Sequence, residues 1–212
     1  MNLFLTFITS LMLGMRHATD PDHIVAVTTI VSRERSVARA AGIGAVWGLG
    51  HTITLLLVGG GIIAFKIAFN ARLGLSLELA VAVMLIVLGL LNLFDARSGA
   101  RGLSTSRPFF VGIVHGLAGS AGAALLIVPL IDDPRWAALY LLTFGFGTVV
   151  GMALITLTIA LPSLFATARM PSLQRSLRLA SGAVSLVFGI YLAHKIGFGD
   201  GLFTADPRWS PR

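Results

Sequence analysis

The chain has 212 residues, is 56% hydrophobic and only 12% charged, and its mean hydropathy of +0.88 excludes an ordinary water-soluble domain. It contains no cysteine, which removes disulfides, thiolate metal sites and cysteine nucleophiles from consideration. The net charge of +7 comes from basic residues scattered through short loops between apolar runs, so it marks topology in a lipid bilayer and not a nucleic-acid partner.

Six apolar segments follow one another at roughly 3–31, 40–65, 76–94, 108–131, 136–161 and 177–196. Each is near or above the ~20 residues that a spanning helix needs. They predict an all-α integral membrane protein with about six transmembrane helices. The first apolar run lacks a positive leading region and a small-residue cleavage site, so it reads as a span and not as a signal peptide.

That first segment is interrupted by GMRHATDPDHIVAV, Gly14 to Val27, which holds Arg16, His17, Asp20, Asp22 and His23. An ionised residue at bilayer depth costs ~2.5–3.5 kcal/mol on insertion scales, so five ionisable groups here need a reason. On a continuous helix His17, Asp20 and His23 fall within about 120° of one another while Asp22 points away. Pro21 has no N–H for the His17 carbonyl and pushes Asp20 out of helical geometry. A kink or short unwound stretch is expected, with Gly14 and Pro21 as the kink residues. Irregular backbone at this depth persists only where it is buried in protein or lines a polar cavity.

The second segment carries WGLGHT with His51, and the fourth carries VGIVHGLAGSAG with His115. Two imidazoles and two carboxylates without sulfur suit a borderline divalent transition ion, and oxygen-only ligation by Ca²⁺ or Mg²⁺ does not fit. The candidate metal ligands are His17, Asp20, Asp22 and His23, with His51 and His115 as further imidazoles; each of the last two could instead bond a neighbouring helix. His194 beside Lys195 reads as an interfacial histidine, and Asn92 as an interhelical hydrogen bond.

Arg33, Arg35, Arg39, Arg97, Arg101, Arg107, Arg169, Arg175 and Arg178 fall in the first, third and fifth loops, against Lys66, Arg72 and Arg135 in the second and fourth. The positive-inside rule then puts both termini outside the cytoplasm of a multi-pass cell (inner) membrane protein. A repeat is also visible. Gly14–His17 aligns with Gly112–His115 at an offset of 98, Trp47–Thr52 with Phe144–Val149 at 97, and Leu88–Leu93 with Phe188–Ala193 at 100. Three helices per copy predict two inverted three-helix halves, about 1–100 and 101–196, in one transporter domain 1–196. Residues 197–212 form a polar tail expected outside the membrane.

HATDPDHI resembles the His-x4-Asp-His signature of the nickel/cobalt transporter superfamily, carried here by His17, Asp22 and His23. GLGHT resembles that family's next-helix motif, and HGLAGSAG a segment of its shorter, urease-associated members. Pro21 stands where the signature commonly has alanine. The resemblance implies a permease, not an enzyme, whose transported substrate is Ni²⁺ or Co²⁺, with no resident cofactor and no catalytic residue. Metal efflux and a metal-sensing membrane protein remain open from the residues alone, as do the ion's identity, proton coupling and oligomeric state. An intramembrane serine protease using Ser120 and His194 is disfavoured, because AGSA replaces the Gly-x-Ser-Gly nucleophile motif.

Overall fold

The computed structural model describes residues 3–32, 34, 36–65, 70–98, 106–117, 131, 133–167 and 171–209. Ser120 and most of the second half of the fourth apolar segment lie outside the described residues. Seven α-helices occur among those described: α1 (Leu3–His17), α2 (Pro21–Val31), α3 (Val37–Phe65), α4 (Ala71–Ser98), α5 (Ser106–Gly116), α6 (Pro134–Thr167) and α7 (Pro171–His194). A π-helical turn, Lys195–Gly199, prolongs α7. Four of the helices contain stretches long and apolar enough to cross a bilayer: Val37–Gly61, Ala71–Phe94, Pro134–Leu161 and Arg175–Gly199. The chain is a multi-pass membrane protein, helical throughout the regular structure of its described residues.

The first apolar segment is two helices and not one. α1 stops at His17, where Thr19 N–H donates to the Arg16 carbonyl at 2.8 Å and Asp20 N–H to the His17 carbonyl at 3.1 Å. The carbonyl that Pro21 cannot serve is thus met by a tight turn. Asp20 is extended at φ −62°, ψ 145°, and α2 restarts on Pro21, where a missing N–H costs nothing. The expected break is present, but Gly14 is no part of it. It lies inside α1 with its face against the backbone of Phe144 and Thr148 on α6. Its role is close approach, because any side chain there would strike the Phe144 carbonyl.

Four pairings build the bundle: α3 with α6, α4 with α7, α1 with α6 and α5 with α3. Their closest approaches come in corresponding pairs. Gly14 faces the Phe144 carbonyl and the Thr148 amide, and Gly112 faces the Trp47 carbonyl and the His51 amide. Gly147 meets Leu11 and Met15, as Gly50 meets Phe109 and Ile113. Gly89 meets Gly182 and Leu186, as Gly189 meets Ala82 and Ile86. Each pair is separated by the offsets of 97 to 100 seen in the sequence. Glycine at these crossings lets backbones pack where lipid supplies no hydrophobic drive for helix association.

Polar groups between helices are satisfied locally. Ser185 donates to the Leu85 carbonyl at 2.8 Å and Thr156 to the Met152 carbonyl at 2.6 Å. Asn92 is the interhelical bond expected of it, donating to the Thr29 carbonyl on α2 and to the Ser181 hydroxyl on α7, both at 3.1 Å. The tail folds back after the π-turn. Trp209 covers Gly74, and its indole N–H donates to the buried Glu78 carboxylate on α4 at 2.9 Å.

Overpacking a close crossing costs about 1–3 kcal/mol. Gly112→Leu is therefore expected to lower the apparent Tm of the detergent-solubilised protein, and Gly14→Leu to do so comparably. Gly42→Leu, where nothing lies within 4 Å of an added Cβ, should leave it unchanged. An unaltered Tm in Gly112→Leu would show that α5 can part from α3 at no cost.

Candidate metal centre

Two helices stop at the same place in the bundle. α1 ends on His17, and α5 ends at Gly116, one residue after His115. His51 stands at the midpoint of the 29-residue α3, about 20 Å from either end at 1.5 Å per residue. The turn after α1 and the start of α2 then bring in Asp20, Asp22 and His23. All six sequence-predicted ligands therefore meet in one cluster, and His17, His23, His51 and His115 are all buried.

The Asp22 carboxylate joins two imidazoles. One oxygen lies 3.1 Å from His23 Nδ1 and also accepts the His23 amide at 3.0 Å; the other lies 3.0 Å from His115 Nε2. Asp20 approaches His17 Nδ1 at 2.8 Å, and His17 Nε2 lies 3.1 Å from His51 Nε2. Ionised carboxylates only accept, so His17 and His23 carry their protons on Nδ1 and His115 on Nε2. His17 Nε2 is then a lone pair, and His51 must donate to it from its own Nε2. Among the described residues three buried imidazole nitrogens have no hydrogen-bond partner, His23 Nε2, His51 Nδ1 and His115 Nδ1, and neither has the indole N–H of Trp47. By the same assignment all three imidazole nitrogens are lone pairs. A cluster of buried lone pairs lacking donors is poor packing for its own sake and a ready set of ligands for a cation.

The surroundings favour positive charge as well. The C-terminal ends of α1 and α5 both face the cluster, and helix C-termini carry partial negative charge. The N-terminus of α2, which carries the opposite sign, is met by Asp20 and Asp22. Two sets of ligand atoms lie within 4.8 Å of one another, His17–His23–His51 and Asp22–His23–His115. Asp20 is in neither set. It sits on the outer nitrogen of His17 with its side chain about a third exposed, where it orients that imidazole as a carboxylate behind a ligating histidine does.

Aromatic rings close the centre. Trp47 stacks on His23 with centroids 5.6 Å apart and an interplanar angle of 20°, and it lies 5.5 Å from His115. Phe144 lies 5.7 Å from His17. Trp47 and Phe144 were not among the expected site residues, although both sit at the head of the repeated WGLGHT and FGFGTV segments. His194 is elsewhere, at the end of α7, with its ring against Phe198.

A buried histidine–carboxylate centre, built where short helices end beside the midpoint of α3, defines a multi-pass membrane protein with a cation-suited core. The chain is 34% identical over 209 residues to the urease accessory protein UreH of Bacillus sp. (strain TB-90), covering 90% of this chain and 91% of that one. It belongs to the family of that protein. It is also 25% identical over 208 residues to the Arabidopsis thaliana chloroplast protein FOR GROWTH AND FERTILITY 2, covering 86% of this chain and 54% of the relative. No family profile and no solved structure matches the chain.

Removing Asp22 would leave two buried imidazole N–H groups without an acceptor, at about 1–3 kcal/mol for each unsatisfied group. Asp22→Ala should therefore lower the Tm in chelator-treated, metal-free detergent solution. Asp20→Ala, at a partly exposed position, should lower it less. Equal Tm values for the wild type and Asp22→Ala would contradict the bridging role.

Proposed function

We propose that this protein is a secondary permease taking up a divalent transition metal ion, with Ni²⁺ the first choice and Co²⁺ the second. The observation that carries the reading is the set of three buried imidazole nitrogens without a partner among the described residues, in a sulfur-free cluster level with the midpoint of α3. Kinship with a urease accessory protein supports a metal-supply role and not an enzymatic one, and the nickel/cobalt transporter resemblance of HATDPDHI supports the choice of ion.

The pairing of close approaches at the repeat offsets supports two three-helix halves. With the Arg-rich loops cytoplasmic, the halves enter the membrane from opposite sides, the arrangement that alternating access uses. Both termini then face away from the cytoplasm of the inner membrane. The hydrated ion enters from outside, exchanges water for imidazole, and is exposed inward as one half rocks on the other. No phosphate-binding GxxxxGK[ST] loop occurs in the chain. The membrane potential suffices as a driving force, since two charges crossing 100 mV gain ~4.6 kcal/mol. That is worth roughly three orders of magnitude in accumulation.

Cells expressing His17→Ala or His23→Ala should accumulate radiolabelled nickel at least tenfold less than wild type at equal membrane levels, while His194→Ala should accumulate normally. Unchanged uptake in His23→Ala would sink the site assignment. Purified protein in sealed liposomes should move nickel into the lumen; binding without flux would favour a sensor instead.

A further inference from the structure

The centre is larger than one coordination shell, and its two ligand sets overlap in a single residue. His17, His23 and His51 form one set, and Asp22, His23 and His115 the other. His23 meets them with different edges of its ring. Its Nδ1 lies 3.1 Å from the Asp22 oxygen, on the side where His115 Nε2 approaches the same carboxylate at 3.0 Å. Its Nε2, buried and unpartnered, is the nitrogen left for the set built on His17 and His51. The two outer histidines hold corresponding places in the repeat. His17 ends α1 and lies against Phe144, and His115 is next to last in α5 and lies against Trp47, at centroid distances of 5.7 and 5.5 Å.

We infer that the protein has two metal positions in series, an all-imidazole one at His17, His51 and His23 Nε2 and a mixed one at Asp22, His115 and His23 Nδ1, and that the ion passes between them across the His23 ring as that ring gives up its Nδ1 proton and takes one on Nε2. The inference rests on the cargo reading above and adds the order of ligand exchange within it. Three observations support two positions over one. A single ion cannot bind both nitrogens of one imidazole, because their lone pairs diverge in the ring plane. The mixed set has a carboxylate and the other has none, so the two differ in charge and in hardness. Finally, His17 closes the half-helix that starts at the N-terminal side, and His115 nearly closes the one that starts after the Arg-rich third loop. On the orientation argued above, the all-imidazole position therefore receives the ion from outside and the mixed position delivers it inward. Conduction through neighbouring sites of moderate affinity also lets the ion leave, which one six-ligand cage would hinder.

The test uses full-length protein in detergent with Co²⁺ alone, read by its visible d–d absorption, and then Ni²⁺ flux in liposomes. His51→Ala and His115→Ala should each still bind cobalt within about tenfold of wild type, with spectra that differ from each other. His23→Ala should bind at least 100-fold more weakly than either. Asp22→Asn, which keeps the side chain's shape, should give the spectrum of His115→Ala. Nickel flux should fall at least tenfold in both His51→Ala and His115→Ala. If His51→Ala and His115→Ala, monodisperse on size exclusion, lose binding as fully as His23→Ala, the centre is one undivided site and the inference fails. Full flux in either variant also overturns it, because that position would lie off the path. Wild-type binding that is indifferent to His23→Ala would instead remove the cargo reading itself.

Discussion

Asp22 holds the centre together because a carboxylate can only accept hydrogen bonds, and it has two imidazoles to accept from. That one constraint sets the protonated nitrogens of His23 and His115 and turns their other nitrogens inward as lone pairs. The same logic, through Asp20, fixes His17 and then His51. The orientation of four rings thus descends from two acids. Neither acid could reach its partner from an unbroken helix, so the turn between α1 and α2 is the backbone's contribution to the chemistry.

The break is tolerable only because the surrounding helices come very close. α1 and α5 are too short to cross a bilayer, and both are clamped by glycines against carbonyls of longer helices, α1 on α6 and α5 on α3. Backbone contact of this kind leaves no slack for side-chain rearrangement. It fixes His17 and His115 at the ends of rigid rods, while Asp22 and His23 ride on α2, which Asn92 pins to α4 and α7 at its far end.

Much of this was legible in the amino-acid order. Hydropathy located the segments that became α3, α4, α6 and α7, because long apolar runs have few alternatives in lipid. The charged motif with Pro21 marked the helix break, since proline's missing N–H acts locally and needs no knowledge of the fold. Clustering of His51 and His115 with the motif is not legible in the amino-acid order, which equally allows ordinary interhelical bonding, because three separate helices must meet to bring it about. Gly14 reads wrongly from the sequence for the same reason. A glycine near a proline looks like part of the kink, and only the position of α6 reveals that its missing side chain makes room for Phe144. Trp47 and Phe144 were visible as repeat landmarks, but nothing in the sequence told which rings they would cover. Asp20 looked equivalent to Asp22 by chemistry, and only the turn geometry leaves one carboxylate behind His17 and sets the other among the ligands.

The scaffold and the chemistry differ in symmetry. Glycine contacts, helix pairings and the aromatic rings over His17 and His115 all recur at the repeat offset. The ionisable groups do not recur so faithfully, since the position matching His51 is Thr148, whose hydroxyl is occupied by the Phe144 carbonyl at 3.0 Å. On the permease reading proposed above, a paired framework would give two equivalent ways of closing around the centre. An unpaired ligand set would make those two ways unequal for a bound ion. On that reading the framework alone would leave the two closures balanced, and His51 on one side and Asp22 on the other would supply the difference in affinity that gives transport a direction.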